Sequence, residues 1–400
     1  MATNPVLRAG LDLRRPRQPW DLIIVGGGPA TALQIRTAPP GARLLVVSPS
    51  VGGGMEMLGH QRLQSYLDEL CVGAVRSTPH AYTEPWATSP TGTQYSRYVR
   101  DAIHAGDAPV VPLTVVDVWP DCGLLKVVGH DHGGSQVVLE GRSVVLATGC
   151  RPRPAPFGND APGIRAHTAV YWDIAQSRLD RYRNRPLVIV GSGNTAMQLA
   201  ACLARISGDV TILATKYPGI FPQETEDRFA WRAPSQLTCE MIAKSGLRSL
   251  SSEPPGIAVR FIIYDELTIM RSGAAIEFSY RRERNGNVLG RHSLPPYHPA
   301  FERFRTSLGP DRWRERRDLE TAVLVSAIGV APAYPEGTTL KRLERDARGH
   351  IGHADGRTSL PGLYLAGICA GFPAVNFMKT AGVDFGGPHA SSWSEVPDER

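Results

Sequence analysis

The most informative absence in this chain is a pair of closely spaced cysteines. Six cysteines occur among 400 residues, at positions 71, 122, 150, 202, 239 and 369, and no two of them form a Cys-x-x-Cys motif. A dithiol relay of the usual kind needs that spacing, so its absence excludes such a relay. Most of the cysteines stand in apolar surroundings, as Cys202 does, and we expect them to be buried as small hydrophobic side chains.

Long apolar runs are also missing. No stretch approaches the ~18 apolar residues of a membrane-spanning helix, and the first residues lack the apolar core of a signal peptide. We therefore expect a cytoplasmic protein without a membrane partner. Hydrophobic residues make up 42% of the chain and charged residues 20%, which is typical of a globular protein.

A concentrated basic surface is the third absence. The net charge is +6, but lysine and arginine are scattered and rarely alternate with aromatic residues. The densest run, Arg312 to Arg317, contains Trp313 and Glu315 and is typical of a solvated face. We therefore expect no nucleic-acid partner, whereas a basic surface suits a phosphorylated cofactor.

The chain does contain two glycine-rich turns, each directly after an apolar strand. The first has Gly26 and Gly28 as its leading glycines. In a dinucleotide-binding βαβ unit the first glycine makes the tight turn, and the second lets a pyrophosphate approach the positive end of the next helix. Thr31 stands in place of the third glycine, and its branched side chain is expected to displace that helix. Ser48 stands where a ribose-binding carboxylate is expected, so ribose contacts must come from a hydroxyl, the backbone or elsewhere.

The second turn is more regular. Gly191 and Gly193 lead it, and Ala196 is an accepted substitute for the third glycine. The strand that follows leads into Lys216, at the place where a cation would meet the 2′-phosphate of NADP. This unit therefore predicts an NADPH site, with an ordinary exposed lysine as the alternative. Two such units in one chain predict two dinucleotides that exchange electrons.

The order of these segments resembles that of the two-dinucleotide-domain flavoproteins, in which FAD occupies the first site and NAD(P)H the second. The resemblance covers nearly the whole chain. The segments that carry it are Gly26-Gly27-Gly28-Pro29-Ala30, Ala147-Thr148-Gly149, Gly191-Ser-Gly-Asn-Thr-Ala196 and Leu363-Tyr-Leu-Ala-Gly367.

Within that group the chain is most similar to the flavin-containing and amine N-hydroxylating monooxygenases, and less similar to the disulfide reductases. Gly28-Pro29-Ala30, followed by a non-glycine, resembles the GxGPxN turn of the N-hydroxylases. Leu63 to Leu70 resembles their stretch with a glutamine beside the flavin and NADP. Gly163 to Tyr171 resembles the GxxxHxxxY part of the flavin monooxygenase signature, although Ala161 replaces its leading aromatic residue.

The resemblance implies FAD and NADPH as cofactors and a set of site residues. Gln64 would be the catalytic glutamine. His167 would belong to the signature or, alternatively, would fill the linker. The segment from Gly367 is expected to become a helix whose N-terminus faces the flavin. The expected cofactor-binding residues are Gly26, Gly28, Pro29, Ala30, Ser48, Thr148, Gly149, Gly191, Gly193, Asn194, Thr195, Lys216 and Gly367. No metal site is expected, because a glycine-rich turn explains His130-Asp131-His132 better.

We predict an α/β fold with two Rossmann-like, three-layer nucleotide-binding domains. The FAD-binding domain is expected at residues 1–155 and 320–400, with the NAD(P)H-binding domain inserted at 156–319. In this scheme the strand expected at Ala322–Gly329 returns to the first domain.

Local patterns give further expectations. Short strands separated by turns predict a meander from Val110 to Leu139, followed by a buried strand over Ser143–Gly149. Residues 80–96 are expected to form a loop and Gln64–Leu70 a helix. An Asn-Gly turn predicts a hairpin over Phe278–Leu294.

The activity that the resemblance implies is an FAD- and NADPH-dependent monooxygenase, which hydroxylates a nitrogen or sulfur of a small molecule with molecular oxygen. The composition is compatible with bacterial specialised metabolism. Two alternatives remain open: a flavin reductase or oxidase that never oxygenates a substrate, and a degenerate flavoprotein that acts as a binding partner. Thr31 and Ser48 favour the second alternative. The substrate and the oligomeric state stay open.

Overall fold

The structure is a computed structural model. The residues that it describes are 18–61, 63, 70, 90–155, 164–191, 193–214, 258–263, 266–272, 275–281, 312–318 and 321–371. Within these ranges, no helix is both long enough and apolar enough to cross a membrane.

Strands and helices alternate through the two glycine-turn units. The strands are β1 (Trp20–Val25), β2 (Leu44–Val47), β3 (Val110–Val111), β4 (Thr114–Asp121), β5 (Leu124–His130), β6 (Gln136–Leu146), β7 (Cys150–Pro152), β8 (Ile164–Ala166), β9 (Leu187–Val190), β10 (Asp209–Ala214), β11 (Ala258–Ile263), β12 (Glu266–Ser272), β13 (Ala275–Arg281), β14 (Arg312–Asp318), β15 (Val323–Ser326), β16 (Val330–Pro332), β17 (His353–Ala354), β18 (Arg357–Thr358) and β19 (Leu363–Leu365). The helices are α1 (Pro29–Thr37), α2 (Gly92–Ala105), α3 (His167–Ala175), α4 (Asn194–Ser207) and α5 (Thr338–Lys341), with short 3-10 helices at Gly54–Leu58, Leu179–Arg181 and Gly367–Ala370.

The first sheet has nine strands and is centred on β1 and β6. Its order is β17-β18-β19-β6-β1-β2-β3, while β5 pairs with β6 and β4 pairs with β5. The first half of β6 is antiparallel to β5, and its second half is parallel to β1 and β19. The predicted meander is therefore confirmed as β4-β5-β6. It runs without a break into the predicted buried strand at Ser143.

The apolar sequence of β1 explains its central position. Leu22 and Ile24 pack into a core cluster that includes residues of α1 and α2, whereas Ile23 and Val25 pack into a second cluster with the meander. A parallel strand covered on both faces needs this continuous apolar run.

The second sheet has five parallel strands in the order β11-β10-β9-β15-β8. The prediction that the strand over Ala322–Gly329 returns to the first domain is wrong, because β15 pairs with β9 and β8. The chain crosses between the sheets at β7 and β16, which pair antiparallel to each other. The inserted unit therefore extends past residue 319 and ends between β15 and β16.

Helix α2 replaces the last part of the loop predicted for residues 80–96. The Thr91 hydroxyl accepts a hydrogen bond from the Gln94 amide at 3.2 Å, and the Gln94 side chain accepts one from the Thr91 amide at 2.9 Å. This capping box begins the helix, which then buries Tyr95 and Val99. The Thr-x-x-Gln pattern therefore indicates the start of a helix, although the surrounding residues are polar.

Strands β12, β13 and β14 form a separate antiparallel sheet. The strand predicted to start at Phe278 is present as part of β13, but its predicted hairpin pairing is wrong, because β13 already has β12 on one edge and β14 on the other. Its Asn-Gly turn lies outside the described residues. Arg316 on β14 is exposed, as expected for a solvated face. Of the predicted helix Gln64–Leu70, only Leu70 is described, and it is buried.

Candidate dinucleotide-binding sites

The first glycine of each turn has a backbone conformation that other residues rarely adopt. The φ angle is +127° at Gly26 and +123° at Gly191. A β-carbon on Gly26 would overlap the carbonyl oxygen of Ala147, and one on Gly191 would overlap that of Ala327. The backbone itself therefore requires glycine at both positions, and the two turns are built in the same way.

The second glycine of each turn faces open space. Among the described residues, a β-carbon on Gly193 would meet no atom within 4 Å, and one on Gly28 would lie 3.9 Å from the nearest atom, the Cα of Gly53. Gly28 and Gly193 are the N-caps of α1 and α4, and neither helix has an acidic residue in its first turn. The uncapped amides and the positive helix ends fit the anionic pyrophosphate of a dinucleotide at both turns.

Thr31 does not displace α1, contrary to the expectation from its branched side chain. The residue is completely buried, and its hydroxyl donates a hydrogen bond to the carbonyl oxygen of Gly26 at 2.8 Å. Ala196 occupies the corresponding place in the second unit and is also completely buried. The hydroxyl of Thr31 therefore stabilises the turn.

Ser48 lies directly after β2, where a ribose-binding carboxylate was expected. It is buried, and its hydroxyl donates to the carbonyl oxygen of Ser50. The Gly52 amide in turn donates to the carbonyl oxygen of Gly27 at 2.8 Å, which holds this segment against the first turn. The proton of Ser48 is therefore used within the protein, and a contact with ribose stays a prediction.

Thr148 and Gly149 follow β6 and lie beside the first turn. The Thr148 hydroxyl is buried and forms no hydrogen bond of normal geometry with the described residues. Gly149 has a φ of +74° and leaves open space at its β-carbon position. Among the described residues, the one interaction of the Thr148 hydroxyl is with the thiol of Cys369. A buried hydroxyl of this kind next to an open glycine fits a polar ligand at this edge of the sheet.

Cys369 packs beneath this edge. The residue is completely buried, and its sulfur lies 3.0 Å from the carbonyl oxygen of Leu146 and 3.1 Å from that of Ala366, which share its single proton. Burial raises the pKa of the Cys369 thiol, an effect that nearby Thr148 opposes. The expected packing role is therefore confirmed for Cys369.

The remaining described cysteines are also free thiols. Cys202 is half-buried, and burial raises the pKa of its thiol. Cys122 and Cys150 are exposed, so the burial expected for most of the cysteines does not extend to these two. Cys71 and Cys239 lie outside the described residues.

His167 and Tyr171 attach α3 to the second unit. The Nδ1 of His167 lies 3.3 Å from the carbonyl oxygen of Ser326, and burial lowers the pKa of this histidine. The Tyr171 hydroxyl donates to the Gln198 side chain of α4 at 2.9 Å. These contacts favour the alternative in which His167 fills the connection between the units.

Four further predicted site residues lie in the first turns of the two helices that follow the glycine turns. Pro29 and Ala30 form the first turn of α1, and Asn194 and Thr195 form that of α4. Gln64, predicted to lie beside the flavin and NADP, and Lys216, predicted to meet the 2′-phosphate of NADP, lie outside the described residues and stay predictions.

The alternative metal site at His130-Asp131-His132 is not supported. The Asp131 carboxylate accepts hydrogen bonds from the amides of Gly133 and Ser135, both at 2.9 Å, as expected for a turn. Among the residues that the structure describes, no cluster of three metal-ligating side chains occurs.

A part of the second site was not recognised from the sequence. Ala327-Ile328-Gly329 follows β15 as Ala147-Thr148-Gly149 follows β6, and Gly329 also has a positive φ, +97°. Each alanine carbonyl packs against the first glycine of its turn. An apolar run followed by Ala-x-Gly thus occurs once in each unit. This repeat is the sequence pattern that could have placed β15 in the second unit.

The two units meet at the segment Gly54–Gln61. Gly59 packs against Ala175 at the end of α3, so that a β-carbon there would lie 2.8 Å from that of Ala175. The Cys202 thiol of α4 donates to the Gln61 side chain at 3.5 Å. Buried residues of both units also belong to one hydrophobic cluster. The two glycine turns are therefore held on one continuous core.

Residues 20–230 match the Pyridine nucleotide-disulphide oxidoreductase family. The chain belongs to this family. This assignment supports an FAD-dependent NAD(P)H oxidoreductase, and the predicted cofactors, FAD and NADPH, agree with it. The finding supports an enzyme and not a degenerate binding partner.

Curated relatives match part of this oxidoreductase. One is the F component of alkyl hydroperoxide reductase from Staphylococcus aureus (strain NCTC 8325 / PS 47), which is 24% identical over 238 residues, 59% of this chain and 38% of that protein. Another is the A component of opine oxidase from Agrobacterium tumefaciens (strain Ach5), which is 30% identical over 206 residues, 49% of this chain and 37% of that protein. The matched regions thus span less than half the length of these relatives.

Solved structures match nearly the whole chain at low identity. The ornithine N-hydroxylase of Kutzneria sp. 744, with reduced FAD, NADP⁺ and L-ornithine, has a TM-score of 0.63 at 15% identity and covers 91% of this chain and 96% of its own. The bacillithiol disulfide reductase of Bacillus cereus has a TM-score of 0.60 at 17% identity and covers 90% and 96%. The flavin-containing monooxygenase of Stenotrophomonas maltophilia has a TM-score of 0.58 at 16% identity and covers 91% and 96%. These similarities confirm the predicted two-domain flavoprotein fold.

Proposed function

We propose that this oxidoreductase is an FAD- and NADPH-dependent monooxygenase that transfers oxygen to a nitrogen or sulfur atom of a small molecule. The observation that carries the proposal is the spacing and burial of its cysteines. Disulfide reduction through a Cys-x-x-Cys relay is excluded, because the sequence contains no such motif. Cys369, the described cysteine packed beneath the first site, is buried, and two carbonyl oxygens share its single thiol proton.

The form of the first turn is a second support. Pro29 and Ala30 follow Gly28 as in the N-hydroxylases that the sequence resembles, and Thr31 replaces the third glycine. Because the Thr31 hydroxyl binds the Gly26 carbonyl oxygen at 2.8 Å, the non-glycine residue is compatible with a tight turn. The ornithine N-hydroxylase of similar fold binds reduced FAD and NADP⁺ and supports the same substrate chemistry, a primary amine.

The described residues have distinct roles in this proposal. Gly28 and the N-terminus of α1 would receive the pyrophosphate of FAD, and Thr148 would donate or accept a hydrogen bond at the same edge. Gly193 and the N-terminus of α4 would receive the pyrophosphate of NADPH. When bound, FAD supplies the two-electron transfer from NADPH to molecular oxygen. The protein supplies the placement of both cofactors, and the continuous core beneath the two turns keeps their separation constant.

The test is to measure where the electrons of NADPH go. The purified protein with FAD is incubated with NADPH, oxygen and a panel of primary amines and thioethers, and NADPH oxidation, peroxide release and hydroxylated product are quantified together. We expect at least one substrate for which hydroxylated product accounts for most of the NADPH oxidised. The Gly193→Ala variant is the matched control, because it fills the proposed pyrophosphate space of the second site and should oxidise little NADPH.

The alternative is an oxidase that does not oxygenate a substrate. It is supported by the 30% identity to a relative named as part of an opine oxidase. In that case all electrons from NADPH appear as peroxide with every compound of the panel, which contradicts the monooxygenase proposal. Rapid NADPH-dependent reduction of a low-molecular-weight disulfide would contradict both.

A further inference from the structure

We propose that Tyr334 and His353 are positioning residues for the FAD site, because they hold the turn Gly367–Gly371 by its backbone carbonyl groups. This inference rests on the proposed function, in which FAD occupies the first site, and on the placement of Gly367 beside the flavin, which the family resemblance implies. Neither Tyr334 nor His353 belongs to a glycine turn or to the segments that carry the family resemblance.

Tyr334 fixes one carbonyl group of the turn. Its hydroxyl donates a hydrogen bond to the carbonyl oxygen of Cys369 and accepts one from the Ile351 amide at 3.2 Å. The tyrosine is buried, and burial raises the pKa of its hydroxyl well above the ordinary value, so the hydroxyl keeps its proton. The guanidinium of Arg345 lies over the ring, 5.1 Å from its centroid. The ring and the hydroxyl of Tyr334 are thus both held in place.

His353 fixes the next carbonyl group. Its Nδ1 lies 3.1 Å from the Gly356 amide and must accept that hydrogen bond, because an amide can only donate. Its Nε2 therefore carries the proton and donates to the carbonyl oxygen of Ala370 at 2.7 Å. The β17–β18 hairpin, which contains His353 and continues through Gly356, thereby determines both the tautomer and the direction of the donor.

The opposite side of the turn is attached to the cofactor edge of the first sheet. The Ala366 amide and the Cys369 thiol both donate to the carbonyl oxygen of Leu146, each at 3.0 Å. Leu146 directly precedes Ala147-Thr148-Gly149, the strand end that packs on the first glycine turn. A shift of the Cys369 and Ala370 carbonyl groups would therefore move Gly367 relative to Thr148.

These contacts predict an effect on FAD rather than on folding alone. A 3-10 helix of four residues, Gly367–Ala370, leaves its last carbonyl groups without partners inside the helix, and here two side chains from other elements satisfy them. Loss of one neutral hydrogen bond is worth ~1 kcal/mol, which corresponds to about a fivefold change in an equilibrium constant. We expect a change of that size in FAD affinity, together with a shift in the flavin absorption spectrum and in its reduction potential.

The experiment uses three variants and FAD as the probe. Tyr334→Phe removes the hydroxyl and keeps the ring. His353→Asn keeps an acceptor for the Gly356 amide but cannot reach Ala370, whereas His353→Gln provides an N–H at about the position of Nε2. We expect FAD affinity to fall about fivefold in Tyr334→Phe and His353→Asn and to recover partly in His353→Gln.

The matched control is Tyr182→Phe. Tyr182 is completely buried, and its hydroxyl donates to the Asp173 carboxylate at 2.7 Å, between α3 and the 3-10 helix that follows it. We expect this variant to lose stability without a change in FAD affinity, spectrum or potential.

The outcomes separate this inference from the proposed function. If Tyr334→Phe and His353→Asn unfold more easily but bind FAD with the affinity, spectrum and potential of the parent protein, the two residues are only structural and the inference is overturned. If the FAD readouts change as expected while no compound is oxygenated, the inference stands and the monooxygenase proposal fails.

Discussion

At the scale of single residues, the two leading glycines of each turn serve different purposes. Gly26 has a positive φ and packs against the backbone of Ala147, whereas Gly28 has no atom within 3.9 Å of its β-carbon position. The first glycine is therefore needed for folding. The second leaves room for a ligand that approaches the helix N-terminus.

Alanine substitutions separate these two purposes. Gly26→Ala should lower the free energy of unfolding by about 2 kcal/mol or more, because alanine is strained at positive φ and its β-carbon overlaps a carbonyl oxygen. Gly28→Ala should change it by less than ~0.5 kcal/mol but weaken FAD binding at least tenfold. Urea denaturation of the FAD-free protein and FAD titration test this. Equal loss of stability in both variants would contradict the distinction.

Lys216 carries the prediction of NADPH over NADH. A cation after β10 would pair with the 2′-phosphate, which NADH lacks. Lys216→Ala should therefore lower kcat/KM for NADPH about tenfold, a loss of about 1.4 kcal/mol, and leave kcat/KM for NADH unchanged. Steady-state kinetics with both nucleotides provide the measurement. A parallel loss with both would mean that the lysine does not contact this phosphate.

At the scale of secondary-structure elements, helix α3 attaches the connection between the two units to the second sheet. Its first residue, His167, is buried against Ser326 of β15, and burial lowers the pKa of its imidazole below the ordinary value of 6.5. In the same helix, Asp173 is buried and accepts from the Tyr182 hydroxyl. The helix is thus attached at both ends, and one attachment depends on pH.

The lowered pKa of His167 predicts the direction of this dependence. The unfolded chain takes up a proton below about pH 6.5, whereas the folded chain takes it up only at lower pH. The contribution of His167 to stability is therefore fully present above pH 6.5 and is lost as the pH falls through the folded-state pKa. His167→Gln should show a smaller fall in the urea midpoint between pH 7.5 and pH 5. The same fall in both proteins would assign the effect to other groups.

The secondary-structure elements also show which features of the fold a sequence pattern can predict. The βαβ unit around Gly26 was predicted correctly because an apolar run, a glycine turn and a helix are local features. Helix α2 was missed because polar residues surround its Thr91 cap, and the hairpin at Phe278 was wrong because both edges of β13 are taken by other strands. The residues of a strand indicate that it forms, but its partners depend on the rest of the chain.

At the scale of the whole molecule, the two units are joined by more than their connecting strands. Gly59 packs on Ala175, Cys202 donates to Gln61, and buried residues of both units form one cluster. Electron transfer between two bound dinucleotides depends steeply on their relative placement, so this interface should affect catalysis at a distance from either turn.

A wedge at the interface tests this. Gly59→Val places a side chain against Ala175 and should slow anaerobic flavin reduction by NADPH at least tenfold while FAD affinity stays unchanged. Gly41→Val is the matched control, because Gly41 also has a positive φ, +82°, but its β-carbon position has no neighbour within 4 Å in the described part of the chain. Rapid-mixing absorbance measures the reduction rate. The same rate in both variants would mean that the interface does not set the distance between the cofactors.

The amino-acid sequence alone was enough to predict the two glycine turns and their order, because each turn begins with a glycine whose backbone conformation other residues rarely adopt. The pair of cofactors followed from the two turns together with the family resemblance. The sequence also excluded a dithiol relay. The folded chain was needed to show that β15 belongs to the second sheet, that Thr31 closes the first turn, and that Tyr334 and His353 hold the segment after Gly367. These features depend on contacts between residues that are not neighbours in the chain. Each residue type in such a contact is compatible with many other partners.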